Sequence, residues 1–224
     1  MPAGKPWCTE APDFRNVPTE PMWRVHPQAY GPLAANRNSR ARGALVGTHG
    51  MFFAADSLSG ALWEATLRYA AVGRGRVARF PLFKLRGMVA SRIRATRSDI
   101  PLLELGRPGI LSLFPDGDGP EVLAVNSLLV NPKHEETHPE FRQLEQDLQS
   151  VGVVEMPVVS WPSRQFPKST VYLAYDPPMV DSWWEVLGPP IALDSPAGLA
   201  LIQDELATHG FTFEPLDTIP PGPP

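Results

Sequence analysis

Apolar residues in this chain gather in short runs separated by turn formers, and few stretches carry a helical period. Residues 22–25 (MWRV) and 51–55 (MFFAA) have strand character, the second apolar enough to be buried. Asp56 or Ser57 then supplies a short oxygen-bearing side chain to cap a helix. Leu58, Leu62, Ala65 and Tyr69 follow at helical spacing, which predicts a helix to about Ala71, stopped by Gly73 and Gly75. Residues 77–85 read as a strand interrupted by Pro81, and 121–130 (EVLAVNSLLV) as a further strand. Thr137 with Glu140 three positions on is a capping-box pattern, and Phe141, Leu144, Leu148 and Val151 share one face before Gly152. Residues 153–161 and 170–175 are strands around a polar turn. Ser195-Pro196 opens a last helix that Gly210 closes.

Composition narrows this outline. Of 224 residues, 27 are proline, well above the usual share of about 5%, so rigid turns outnumber long helices. Residues 1–20 read as a Pro-rich leader on the surface or disordered, 21–176 as the main domain, and 177–224 as an extension with one helix packed on it. Net charge is -4, which gives no global attraction to nucleic acid or anionic lipid. No stretch reaches the ~18 apolar residues of a membrane span, and the start lacks an apolar signal core. A lone Cys8 allows no internal disulfide and suits a reducing compartment. The expectation is a cytoplasmic protein. Residues 74–97 hold eight Lys or Arg and no acid. They read as a solvated face or as a docking site for an acidic partner; without regular aromatic interleaving, direct nucleic-acid binding is not expected.

His134-Glu135-Glu136-Thr137-His138 is a literal HExxH. In zinc proteases one continuous helix brings both imidazoles to one face. Here Pro139 follows His138, and proline disfavours helical geometry in the residue before it. The motif is therefore expected in a loop, with no metal.

Five further segments, taken in order, resemble the RES family of toxins. Trp23-Arg24-Val25 matches that family's first arginine, and Arg42 in the RARG loop its second, with Arg40 as the alternative. Phe53-Ala54-Ala55-Asp56-Ser57 matches its aromatic strand and cap, and Ala61-Leu62-Trp63-Glu64 its helix with glutamate. Trp161-Pro162-Ser163 matches its serine turn, with Ser160 as the alternative. The family usually has Tyr at Phe53 and Arg-Trp at Arg42-Gly43. The match spans roughly residues 22–175.

The resemblance implies an α+β fold similar to ADP-ribosyltransferases, a core of small twisted sheets with flanking helices. It implies cleavage of the nicotinamide–ribose bond of NAD, by a glycohydrolase or phosphorylase acting as a toxin. NAD is then substrate, with no further cofactor, and an Xre-type antitoxin is the expected partner; assembly as an oligomer is compatible with the reading. Two other readings share the layout: an ADP-ribosyltransferase that modifies a macromolecule, and a non-catalytic RES-like interaction protein. In the first reading Glu64 stabilises an oxocarbenium-like sugar by its charge. Arg24 and Arg42 would pair with phosphate oxygens, for which a guanidinium fork is suited. Phe53 would stack on the nicotinamide ring, and Ser163 would hydrogen-bond the ribose or amide.

Overall fold

A computed structural model describes residues 6–114 and 119–216. In chain order its strands and α-helices are β1 (Arg15–Asn16), β2 (Met22–Pro27), β3 (Gly50–Ala55), α1 (Leu58–Ala65), β4 (Ala71–Val72), β5 (Val77–Pro81), β6 (Met88–Ala95), β7 (Pro101–Glu104), α2 (Pro120–Val130), α3 (His138–Ser150), β8 (Val158–Pro162), β9 (Thr170–Asp176), β10 (Trp184–Val186), β11 (Ile191–Ala192), α4 (Pro196–Thr208) and β12 (Thr212–Leu216). The expected α+β class holds. The sheets are less alike in size than the expected pair: one has nine strands in the order β1-β7-β8-β9-β3-β2-β6-β10, with β11 also on β6, and the other has three, β12-β5-β4.

The large sheet parts in the middle. β2 pairs along six residues with β6, and β3 along six with β9, yet β2 and β3 share a single pair, Trp23 with Ala55. Two half-sheets therefore meet at one residue and diverge, which leaves an opening over which α1 packs. Alternation along each strand decides what each face holds. On β2 and β3, Met22, Arg24, Phe52 and Ala54 point to a cluster with Met179 and Trp184. Trp23 and Val25 point the other way, toward Leu62, Phe80 and Leu206, and Phe53 toward Phe141, Leu144 and Trp161.

Residues 120–130 are helical, where the sequence suggested a strand. Gly119 and Pro120 set up the first turn, with Glu121 at its positive end. Val122, Val125, Leu128 and Leu129 are buried at helical spacing. α1 is shorter than its pattern suggested. Thr66 ends it by turning its hydroxyl back onto the Leu62 carbonyl. A 3-10 turn over Leu67–Tyr69 follows, and Tyr69 is exposed rather than in the buried stripe. Thr137 does not cap α3 through its side chain. It stays in helical geometry, donates to the His134 carbonyl and accepts from the Gly43 amide. Ser57 and Ser195 do cap α1 and α4, accepting from Gly60 and Gly198 amides.

The start of the chain is not peripheral in its described part. Trp7 is fully buried against Phe114 and Phe141, and its amide donates to Asp147 at 2.7 Å. The segment beyond residue 177 adds β10 and β11 to the large sheet, β12 to the small one, and α4 to the core around Leu62. The basic stretch is less isolated than its sequence suggested. Arg79 pairs with Glu214, Arg94 with Glu185 and Arg97 with Asp99.

Candidate active site

The opening between β2 and β3 is a cavity of about 200 Å³. β2 and β3 supply Trp23, Val25, Phe53 and Ala55, α1 supplies Ala61, Glu64 and Ala65, and Trp161 and Val171 close the floor. Small residues on α1 let the helix pass close to the strands. Gly60 is the tightest point: a methyl group there would lie 2.0 Å from Ser169 Oγ.

Glu64 is fixed from behind. Ser163 Oγ donates to its Oε1 at 2.6 Å, and the Gln165 amide reaches the same oxygen at 3.3 Å. Ser163 in turn accepts from the Phe166 amide at 2.9 Å, and its own amide donates to the Ser169 carbonyl at 2.7 Å. Ser169 donates to Asp56 and accepts from Ser57, while the Thr170 amide donates to the other Asp56 oxygen. The turn 163–169 is thus stitched to the N-terminus of α1, and Glu64 to the turn. From the other side, Glu205 of α4 accepts from Ser59 and from Trp63 Nε1, at 2.6 and 2.9 Å.

This geometry assigns the expected residues unequally. Glu64, Arg42 and Phe53 meet at the cavity. Ser163 joins them through Glu64, but it is fully buried and its only proton goes to the carboxylate, so it positions Glu64 instead of touching a ligand. Ser160 alternates away from Trp161 on β8 and is absent from the lining. Arg40 is exposed and off the cavity.

Arg24 is the main departure. Arg24 belongs to the cavity wall. Its guanidinium emerges on the opposite face, 4.1 Å above the Phe52 ring, and donates to the carbonyls of Pro32 and Ala34. Burial pulls its pKa down to about 10. Stacked on Phe52 and donating to two backbone carbonyls, this guanidinium is directed away from Glu64.

Arg42 is buried beside Glu64. One terminal nitrogen donates to the Asn131 carbonyl at 2.8 Å, while its Nε is buried with no partner among the described residues. Burial lowers its pKa, and nearby Glu64 partly restores it. Gly43 behind it takes φ +74°, and its α-carbon lies so close to Phe141 that a methyl would sit 2.9 Å from the ring. Tyr175 donates to the Gly43 carbonyl.

Three cavity groups escaped the sequence reading: His134, Arg68 and Trp161. His134 was legible only as half of HExxH. It lies in a 3-10 turn, His134–Thr137, and lines the cavity, whereas His138 starts α3 and its Nε2 meets the Ala41 carbonyl. The two imidazoles serve different places. Burial, then Arg42 and Arg68, lowers the His134 pKa, so the ring is neutral at neutral pH. Among the described residues, no group of three or more His, Cys, Asp or Glu side chains could hold a metal.

No family model matches this chain, and no curated protein matches it. Its fold is that of a chain in the crystal structure of the M. tuberculosis MbcT–MbcA toxin–antitoxin complex. The two superpose with a TM-score of 0.52 over 88% of this chain and 91% of that one, at 14% sequence identity.

Proposed function

We propose that this protein consumes NAD by cleaving the bond between nicotinamide and ribose, and that it is the toxin of a cytoplasmic toxin–antitoxin pair. The observation that carries the reading is Glu64, a carboxylate pinned by Ser163 in the wall of a cavity beside Phe53 and Arg42. The C1′–N1 bond breaks with both electrons leaving on nicotinamide, which departs neutral and needs no acid. C1′ becomes oxocarbenium-like, and the nearby carboxylate stabilises that charge. Water or phosphate then forms the new bond at C1′, and water gives up its proton. Phe53 offers the nicotinamide a stacking face. Held rigid from behind, Glu64 needs no reorganisation as the charge develops.

The fold neighbour belongs to a toxin–antitoxin complex, which supports the proposed partner, an antitoxin protein. The test is purified protein with NAD, in water and in phosphate buffer, with Glu64→Ala as control. The reading requires free nicotinamide with ADP-ribose, or with its 1″-phosphate when phosphate is the acceptor. NAD left intact by folded protein refutes it. Phe53, where the RES family usually has Tyr, favours the non-catalytic alternative; NAD left intact also in the presence of a cell extract as acceptor would support it over an ADP-ribosyltransferase.

A further inference from the structure

The cavity is too small for a dinucleotide. At about 200 Å³ it is below the roughly 300–1,000 Å³ of pockets that enclose a drug-sized ligand. If NAD is the substrate, as proposed above, one ring and its ribose fill the cavity and the diphosphate must cross its rim. With Arg24 turned to the other face, the residues expected from sequence leave that diphosphate only Arg42.

Two exposed arginines flank Glu64 in the chain's fold, Arg68 in the cavity wall and Arg164 in the turn that pins the carboxylate. Arg68 lines the cavity from the 3-10 turn one helical turn beyond Glu64. It rests on Tyr69, with one nitrogen donating to the phenol oxygen at 2.8 Å. Arg164 lies between Ser163 and Gln165, the two residues whose donors hold Glu64. Its backbone is therefore pinned against the carboxylate while its side chain is exposed. Arg164 makes no ion pair or hydrogen bond among the described residues, unlike Arg79, Arg94 and Arg97, which face carboxylates. Behind both, Arg42 keeps a buried Nε with no acceptor, an arrangement that costs folding energy unless something else uses that side chain. All three arginines and Glu64 act electrostatically on His134, which fits their sharing one rim.

We infer that Arg68 and Arg164, with Arg42 behind them, form a diphosphate-binding collar at the cavity mouth. Three guanidiniums around one carboxylate leave the rim cationic on a chain of net charge -4. A planar fork can bridge adjacent phosphate oxygens, which a point charge cannot. The collar makes the enzyme select dinucleotides over the uncharged-tail riboside, because the phosphates anchor the substrate while the cavity holds the reacting ring.

The experiment is calorimetric titration of the whole protein with inorganic pyrophosphate and, separately, with inorganic phosphate. The variants are Arg68→Gln, Arg164→Gln, the double variant, and a control, Arg86→Gln with Arg92→Gln, which removes two exposed arginines elsewhere. Pyrophosphate should bind the parent more tightly than phosphate and weaken with salt. Each single change should weaken pyrophosphate binding several-fold and the double at least tenfold, with the control unchanged. Equal affinity in parent and double variant overturns the collar, and so does an equal loss in the control. Since no chemistry is involved, pyrophosphate binding that needs these arginines in a protein that leaves NAD intact would sustain the collar and sink the NAD reading. If NAD is consumed, the double variant should lose its preference for NAD over nicotinamide riboside.

Discussion

Replacing Glu64 by Gln separates charge from shape at the centre of the site. The amide oxygen can still accept from Ser163 Oγ, now at 2.6 Å, and from the more distant Gln165 amide at 3.3 Å. What disappears is the charge assistance. A hydrogen bond to an ionised group contributes about 1.5–3 kcal/mol and a neutral one about 0.5–1.5. The short bond therefore loses about 1 kcal/mol, while the long one changes little. For a chain of this size about 1 kcal/mol is a fall of roughly 2–4 °C in Tm. The lost counter-charge adds little at Arg68 and Arg164, which are exposed and screened, but it adds to the loss at buried Arg42, whose charge Glu64 helps to hold. Chemistry should suffer far more. Losing a preorganised electrostatic contact costs on the order of 10²–10³ in rate, about 3–4 kcal/mol at the barrier. The assay is nicotinamide release from NAD by purified Glu64→Gln, with calorimetric melting beside it. Turnover within tenfold of the parent, or a Tm fall beyond about 10 °C, would refute the assignment of Glu64 as the charge that stabilises the sugar.

Other changes probe the surroundings. Gly60→Ala should destabilise by about 1–3 kcal/mol, since the new methyl meets Ser169 Oγ at 2.0 Å and Ser169 is tied to Asp56 and Ser57; a denaturation midpoint equal to the parent's would show that the turn is not stitched to α1. Phe53→Tyr should lower KM for NAD about fivefold through one added hydrogen bond of about 1 kcal/mol, with kcat little changed, as steady-state kinetics will show. Burial lowers the pKa of His26, His49 and His134 in the folded protein, so all three favour the neutral form. Their contribution is complete above about pH 6.5, where the unfolded imidazoles are also neutral, and is lost as pH falls below it. Tm measured against pH should decline on the acid side, and His134→Asn should flatten that decline; an identical slope in the variant would count against it. Cys8 is buried and its thiol pKa is raised by burial, so a thiol reagent should label it only in denaturant.

Much of the fold was legible because local chemistry agreed with tertiary context. Ser57, Ser195 and Gly210 mark helix ends in the sequence and do so in the structure. Residues 120–130 show where local evidence pointed two ways. Val, Leu and Ala suit strand and buried helix alike, and an unbroken apolar run hides its period. The deciding signal was at the edge, in Gly119-Pro120-Glu121, and in the three- and four-residue spacing of Val122, Val125 and Leu129. Trp7 could not be placed from sequence at all. Its burial depends on α3 presenting Asp147 and Phe141, 140 and 134 residues further on.

The site was legible as a set of residue types and illegible as a set of directions. Strand alternation states that Arg24 opposes Trp23 and Val25, but not which face carries the cavity; that depends on where α1 packs, a long-range fact. Arginine 24 therefore passed for a phosphate ligand when its guanidinium serves the carbonyls of Pro32 and Ala34. Ser163 was read as touching substrate for the same reason. A hydroxyl has one proton to give, and in the fold it goes to Glu64, a residue 99 positions away in sequence. The two placements share a cause and point to one conclusion about design. Charged groups that do chemistry at a surface opening need neighbours that spend their own hydrogen bonds on holding them. Ser163, Ser169 and Asp56 do this for Glu64. On the proposed reading the phosphate ligands are those with donors still to offer, and among the described residues Arg42, through its Nε, and Arg164 stand ahead of Arg24, which donates to two carbonyls.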